Sequence, residues 1–78
     1  MTRDETLALL AEILGGIAPE ADLATVPPDA DLREALDLDS MDFLNLVIGL
    51  DAKSGRAIPE ADYPKLFTLK GMAAYLAA

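Results

Sequence analysis

The chain contains neither cysteine nor histidine among its 78 residues. Without cysteine, disulfide bonds, thiolate metal sites and cysteine nucleophiles are all excluded. Without histidine, the commonest general base and the commonest transition-metal ligand are missing as well. Any chemistry at this protein must therefore use hydroxyl groups, carboxylates or a group that is added to the chain.

Long apolar runs are also missing. No segment approaches the ~18 apolar residues that a membrane-spanning helix needs, and Arg3-Asp4-Glu5 is not the opening of a signal peptide. We therefore expect a cytoplasmic protein with no membrane span. Its length leaves room for one small domain, residues 1–78, and a domain of this size buries only about 60% of the surface that its unfolded chain exposes. An enclosed catalytic cavity is not expected, although the apolar content of 53% is ample for a folded core.

Basic residues are scarce, with six against 14 acidic residues and a net charge of −8. The stretch from Glu20 to Asp42 carries −7 of this charge, and Arg33 is its only base. Its eight acids are Glu20, Asp22, Asp29, Asp31, Glu34, Asp37, Asp39 and Asp42. Such a field repels nucleic acid and anionic membranes and attracts basic protein surfaces. The alternative interpretation is a solvated loop without a partner.

Helical periodicity begins near the N-terminus. Thr2 and Glu5 form a Thr-x-x-Glu capping box, which is typical of a helix start. One apolar stripe with helical spacing follows, made of Leu7, Leu10, Ala11, Leu14 and Ile17. Gly15–Gly16 and Pro19 end this helix. A long connection from Ala18 to Asp39 comes next, in which scattered apolar residues predict packing against the core and residues 31–36 predict a helical turn.

Asp39 or Ser40 is predicted to cap a second helix that Gly55 terminates. The inward side of this helix consists of Phe43, Leu46, Val47 and Leu50, with Leu44 at its edge. Gly49 weakens the helix interior by roughly 1 kcal/mol relative to alanine.

Two further helical segments follow. Residues 58–62 predict a third, short helical turn, which Pro64 keeps short. Thr68 caps a last helix whose inward residues are Leu69, Met72, Ala73 and Leu76. No β pattern is present. The sequence thus predicts an all-α fold, a small four-helix bundle of three main helices and one short helix with a long first loop.

The segment from Leu36 to Leu44 reads Leu-Asp-Leu-Asp-Ser-Met-Asp-Phe-Leu. Here the chain resembles the acyl carrier protein family, whose signature is Asp-Ser-Leu or Asp-Ser-Met at the start of the second helix. The resemblance covers essentially the whole chain, because Gly55-Arg56-Ala57-Ile58-Pro59 and Tyr75-Leu76 match further landmarks of the family.

The resemblance implies that Ser40 accepts 4′-phosphopantetheine from coenzyme A through a separate Mg²⁺-dependent phosphopantetheinyl transferase. The cofactor's thiol then carries acyl groups as thioesters. A phosphodiester at a helix N-terminus meets unpaired backbone N–H groups and the positive end of the helix dipole. We assign Asp39, together with Ser40, to the cofactor-binding site. Asp39 and Asp42 would repel the negatively charged phosphate, so the phosphopantetheine arm would be held by its covalent bond and otherwise remain free to move. The alternative is that Ser40 is only a helix cap.

The resemblance also implies a partner interface. The face of the second helix opposite the core consists of Met41, Asn45, Ile48 and Ala52, and Asp37 and Asp42 lie near its start in sequence. The predicted interface residues are Met41, Asp42, Asn45, Ile48 and Asp37. The partners implied are the transferase and the acyl-loading and acyl-processing enzymes, which would have basic docking surfaces. The carrier itself is expected to be a monomer. Ordinary surface is the alternative interpretation of these residues.

Catalysis by the chain itself is not expected, and we assign neither a catalytic residue nor a metal ligand. Asp37-Leu38-Asp39 resembles the opening of aspartyl-phosphate phosphatases, but that motif requires a parallel strand in a larger α/β domain. Asp29-Ala30-Asp31 fails as an EF-hand, whose sixth position is glycine and whose twelfth is glutamate. Ser40 has no histidine or Ser-x-x-Lys partner, so it is not a hydrolase nucleophile.

Several positions depart from the family pattern. Many members carry acids along the second helix, whereas this chain has Asn45, Ala52 and Lys53 there. A dedicated pathway is therefore an alternative to general fatty-acid synthesis, with a fatty, polyketide, hydroxyacyl or aminoacyl cargo. Asp-Ser-Met also occurs in D-alanyl carriers of the same fold. The alternative from another functional class is an unmodified acidic adaptor that binds a basic protein.

Overall fold

The computed structural model describes residues 2–77, which form helices joined by loops with no strand among them. The α-helices are α1 (Arg3–Gly15), α2 (Leu32–Ala35), α3 (Ser40–Ser54) and α4 (Leu69–Ala77), and 3₁₀-helices span Leu23–Thr25 and Glu60–Leu66. The predicted bundle is confirmed: α1, α3 and α4 are the three main helices, and Glu60–Leu66 is the short one. Among the described residues, none of the helices combines the length and the apolar character needed to cross a membrane.

The capping box of α1 is confirmed. The Thr2 hydroxyl accepts a hydrogen bond from the Glu5 N–H (3.1 Å), and the Glu5 carboxylate accepts one from the Thr2 N–H (2.9 Å). The second of these bonds lowers the pKa of Glu5, because it stabilises the ionised carboxylate. Both bonds satisfy donors that a helix start otherwise leaves unpaired.

The predicted core stripe of α1 is wrong at one position. Ala11 is exposed, whereas Ile13, which the stripe omitted, is buried beside Leu10 and Leu14. The reason is the crossing with α3: a Cβ atom added at Gly49 would lie 2.9 Å from Ile13 Cγ2. The two helices approach so closely there that Ile13 fills the space above a glycine, and this contact rotates the buried face of α1 away from Ala11.

The long first loop packs against the core, as predicted, and its helical turn is α2. Val26, Leu32 and Leu38 are buried. Two backbone bonds tie the loop to the start of α4: Leu32 N–H donates to the Phe67 carbonyl (2.8 Å) and Lys70 N–H to the Pro28 carbonyl (3.0 Å). These bonds fix the loop against the segment that leads into α4.

The prediction that Pro64 keeps the third helix short is wrong. The 3₁₀-helix continues over seven residues, Glu60–Leu66, with Pro64 inside it. Its bonds run from Asp62 N–H to the Pro59 carbonyl and from Phe67 N–H to the Pro64 carbonyl. Each hydrogen bond of a 3₁₀-helix joins residues three positions apart. The bonds can therefore be placed so that the Pro64 carbonyl accepts one and the proline nitrogen, which has no hydrogen, does not need to donate. This is why proline does not end the helix here.

The last helix begins as expected. The Thr68 hydroxyl accepts from the Gly71 N–H at 2.9 Å, and Leu69, Met72 and Leu76 are buried, with Ala73 half-buried. A side chain at Gly71 would collide with the Lys65 carbonyl. The glycine therefore allows α4 to lie directly against the 3₁₀-helix.

Candidate functional site

The start of α3 is a second reciprocal capping box. Asp39 has an extended backbone (φ −85°, ψ −179°), and its carboxylate accepts a hydrogen bond from the Asp42 N–H at 2.8 Å. The Asp42 carboxylate in turn accepts from the Asp39 N–H at 3.4 Å. Of the two caps that the sequence allowed, the structure selects Asp39. Ser40 is therefore the first residue of the helix, and its hydroxyl is not needed for capping.

A change of chain direction at Asp37 precedes the capping residue Asp39. Its φ of 55° makes it the only non-glycine residue with positive φ among the described residues. Aspartate is one of the few residues that tolerate this left-handed conformation. After the turn, Leu38 N–H donates to the Arg33 carbonyl (2.8 Å) and the Leu38 side chain is buried. Because Leu38 anchors the segment in the core, Asp39 and Ser40 emerge on the surface.

The Ser40 side chain is exposed, and its hydroxyl makes no hydrogen bond to any other part of residues 2–77. It stands at the N-terminus of a 15-residue helix, where the backbone N–H groups of the first turn and the helix dipole favour an anion. Asp39 and Asp42 each use one carboxylate oxygen in capping and place negative charge on either side. This arrangement fits a phosphodiester that is covalently held and otherwise loosely bound.

The outer face of α3, which we define as Met41, Leu44, Asn45 and Ile48, runs away from Ser40. Met41 is 63% exposed, Ile48 54% and Leu44 36%, and Asn45 is exposed beside them. The structure thus places three of the predicted interface residues on one surface. The sequence had assigned Leu44 to the edge of the core. Its position three residues after Met41 and four before Ile48 is the signal that could have placed it on this face.

The only base of the acidic loop is engaged within the protein. Arg33 makes two side-chain bonds to the Asp31 carboxylate (2.7 and 3.1 Å), and its guanidinium carbon lies 3.8 Å from the centre of the Phe67 ring and 5.9 Å from that of Phe43. Hydrogen bonding to Arg33 lowers the pKa of Asp31. The remaining seven acids of the Glu20–Asp42 stretch are left without a balancing cation from that stretch.

Charged groups at the other end of α3 are engaged by neighbouring segments. The Asp51 carboxylate accepts from the Ile58 N–H at 3.0 Å and holds the loop that follows the helix. Lys53 Nζ lies 2.8 Å from Glu12 Oε1 on α1. The two ends of α3 therefore differ in charge: Asp39 and Asp42 flank Ser40, whereas the far end has one acid, Asp51, which also uses a single carboxylate oxygen, and one base, Lys53, which is paired with Glu12.

Comparison with known proteins agrees with this geometry. A family model described as the phosphopantetheine attachment site matches residues 4–76. An acyl carrier protein from Renibacterium salmoninarum is 34% identical over 99% of this chain and 94% of its own length, and one from Rubrobacter xylanophilus is 32% identical over 97% and 93%. The solved structure of an acyl carrier protein from Enterococcus faecalis superposes with a TM-score of 0.75 at 25% identity, over 97% of this chain and 95% of that one.

Proposed function

Because the chain belongs to the acyl carrier protein family and contains its phosphopantetheine attachment domain, we propose that Ser40 is the residue to which 4′-phosphopantetheine is attached. Members of this family are carriers and not catalysts, and the chain is one of them. Its function is to hold acyl groups and present them to enzymes. Beyond membership of the family, the proposal assigns the attachment residue, the docking surface and the class of pathway.

The observation that supports Ser40 is the exposed hydroxyl at the first position of α3. The chain has only one other serine, Ser54, and the Ser54 hydroxyl oxygen accepts a hydrogen bond from the Arg56 N–H at 3.2 Å. Ser40 has no such partner among the described residues, and Asp39 relieves it of the capping role. Its oxygen is free to approach a phosphorus atom.

Attachment forms one phosphoester bond. The Ser40 oxygen bonds to the phosphorus of the phosphopantetheinyl group of coenzyme A, adenosine 3′,5′-bisphosphate leaves, and the hydroxyl proton passes to the transferase. The attached group supplies the thiol that the chain lacks, and acyl groups are carried on it as thioesters. Asp39 supports the site by fixing the start of α3, and its charge discourages the phosphodiester from folding back onto the helix.

The partner surface we propose is the outer face of α3 together with Asp37 and Asp42. A contiguous apolar patch that stays exposed on a small protein can mark an interface, and the apolar residues of this face begin at Met41, next to Ser40. The pathway we propose is a dedicated one, because Asn45, Ala52 and Lys53 replace acids that many relatives carry. Its cargo is a fatty, polyketide, hydroxyacyl or aminoacyl group.

Intact-mass measurement tests the attachment residue. The protein is incubated with coenzyme A, Mg²⁺ and a broad-specificity phosphopantetheinyl transferase. We expect wild type and Ser54→Ala to gain one phosphopantetheinyl group and Ser40→Ala to gain none. Circular dichroism should show that Ser40→Ala keeps its helices, because the cap of α3 is Asp39. A modified Ser40→Ala protein would refute the assignment, and an unmodified wild type would favour the acidic adaptor.

A further inference from the structure

The chain that leads to Ser40 comes out of α2, a helix of only four residues. A helix this short is not stable by itself in water, so its geometry depends on contacts with the rest of the protein. Leu38 N–H, two residues before Ser40, donates to the carbonyl of Arg33 on this helix at 2.8 Å. The direction in which the chain enters α3 therefore depends in part on how firmly Arg33 is held.

The side chain of Arg33 is held from two directions. Its Nε and Nη2 atoms donate to the two oxygens of the Asp31 carboxylate at 3.1 and 2.7 Å. Its guanidinium carbon lies 3.8 Å from the centre of the Phe67 ring. A bidentate bond combined with stacking on a ring fixes the orientation of a guanidinium group, because both interactions require its plane to be in one place.

The same guanidinium group also approaches α3 beyond Ser40. It lies 5.9 Å from the centre of the Phe43 ring, and the rings of Phe43 and Phe67 are 5.3 Å apart. Phe43 is three residues after Ser40, which is about one helical turn. Arg33 therefore meets the chain on both sides of Ser40: its carbonyl binds the segment before the serine, and its side chain lies beside the first turn after it.

We propose that Arg33 is a positioning residue for the modification of Ser40. This inference rests on the proposed function, and it assigns to Arg33 a role that acts through Leu38 and Phe43. The Ser40 oxygen and the phosphorus atom must come within about 3–3.5 Å of each other, in line, before they react. Because the Ser40 hydroxyl has no hydrogen bond to the described residues, the segments on either side of Ser40 set its position.

Charge attraction and positioning predict opposite effects of removing Arg33. It is the only base between Glu20 and Asp42, and the loss of its one positive charge takes the net charge from −8 to −9. If Arg33 mattered only through its charge, its removal should speed association with a basic enzyme surface. If it positions Ser40, its removal should slow the transfer. The sign of the change therefore separates the two explanations.

The test compares transfer kinetics of wild type, Arg33→Gln and Arg33→Lys with coenzyme A, Mg²⁺ and the transferase. Arg33→Lys keeps the charge but lacks the planar group that binds both oxygens of Asp31. Arg3→Gln is the matched control, since it removes an exposed base of α1 and changes the net charge equally. The values of kcat and KM are measured separately, at physiological ionic strength and at a temperature where circular dichroism shows every variant to be folded.

Hydrogen exchange gives a second readout that does not depend on the transferase. We expect the Leu38 amide to exchange faster in Arg33→Gln than in wild type, because the carbonyl that binds it is less firmly held. The amide of Leu46, which is completely buried within α3, should exchange as in wild type. Leu38 exchange that is unchanged in Arg33→Gln would overturn the inference.

We expect kcat/KM of Arg33→Gln to fall roughly fivefold or more, mainly through kcat, because Ser40 is less often in the reactive position. Arg33→Lys should lie between this variant and wild type. Arg3→Gln should change kcat/KM by less than about twofold, because exposed charges are screened over a short distance. An Arg33→Gln protein that is modified as fast as wild type or faster, or that differs only in KM, would overturn the inference.

The proposed function stands or falls on a different result. If Arg33→Gln is modified at the wild-type rate, the inference fails but Ser40 is still the site of attachment. A wild-type protein that the transferase leaves unmodified would overturn the proposed function and this inference together. If Arg33→Gln does not fold, Arg33→Lys decides by the same criteria, because it retains the charge and most of the apolar stem.

Discussion

The inner and outer faces of α3 are made of similar residues with opposite roles. Leu46 and Leu50 are completely buried on the inner face, whereas Leu44 and Ile48 are exposed on the outer face. The inner residues belong to the core, whereas the two outer residues keep 36% and 54% of their surface exposed. Apolar side chains therefore occur on both faces of α3. The neighbouring elements decide whether such a side chain is buried and stabilises the fold or stays exposed and available to a partner.

Truncating the same side chain on each face is the strongest test of this contrast. Leu46→Ala empties a fully buried site and should lower the free energy of unfolding by about 2–5 kcal/mol. This is a large fraction of the stability of a small domain. Leu44→Ala, two residues earlier, should cost about 1 kcal/mol or less because the side chain is partly in water already. Urea unfolding of both variants measures the difference.

The effect on modification should follow the opposite order. Ile48→Glu places a charge on the outer face of α3 and should slow phosphopantetheine transfer far more than it lowers the melting temperature. Leu46→Ala should be modified at a normal rate at temperatures where it remains folded. If Ile48→Glu unfolds the protein instead, the outer face is part of the core and the contrast between the faces is wrong.

Gly49 tests the closest contact of the inner side. Alanine is better than glycine in a helix interior by about 1 kcal/mol, but here its Cβ would lie 2.9 Å from Ile13 Cγ2. A branched side chain cannot easily rotate this methyl group away, and overpacking typically costs about 1–3 kcal/mol. We therefore expect Gly49→Ala to lower the free energy of unfolding by about 1 kcal/mol.

Gly15→Ala is the matched control for Gly49→Ala. A Cβ atom at Gly15 meets nothing within 4 Å, so only the gain in helix propensity remains, and stability should be unchanged or rise slightly. Equal and stabilising effects at both glycines would mean that α1 and α3 are not in tight contact at Ile13.

The smallest effect concerns the edge of the inner face, where Arg33 lies near Phe43 and is held by Asp31. Because Arg33 lowers the pKa of Asp31 in the folded state, the associated stability is present above the unfolded pKa of about 4. It is lost as pH falls through the lower folded pKa. Asp31→Asn should therefore reduce the loss of melting temperature between pH 5 and strongly acidic solution. Asp29→Asn, an exposed acid of the same loop, should leave that loss as it is in wild type.

Local sequence patterns predicted a large part of this protein. The Thr2–Glu5 capping box and the terminating role of Gly55, whose φ is 71°, depend on interactions within a few residues. The helical period alone groups the apolar residues that form the inner side of α3. The acidic stretch and the Asp-Ser-Met segment are likewise readable directly, and with them the family resemblance that the comparisons confirm. The role of Ser40 itself stays a prediction until the modification is measured.

Only the tertiary structure decided the features that depend on contacts between distant segments. Ile13 replaced Ala11 in the core of α1 because α1 crosses α3 at a glycine, and nothing near Ile13 in sequence indicates which helix it meets. Leu44 belongs to the outer face because 36% of its surface stays exposed after the chain has folded. Asp39 rather than Ser40 became the cap because Leu38 is buried and sets the orientation of the chain at that point. Periodicity reports which residues share a side of one helix, whereas packing decides which sides are covered.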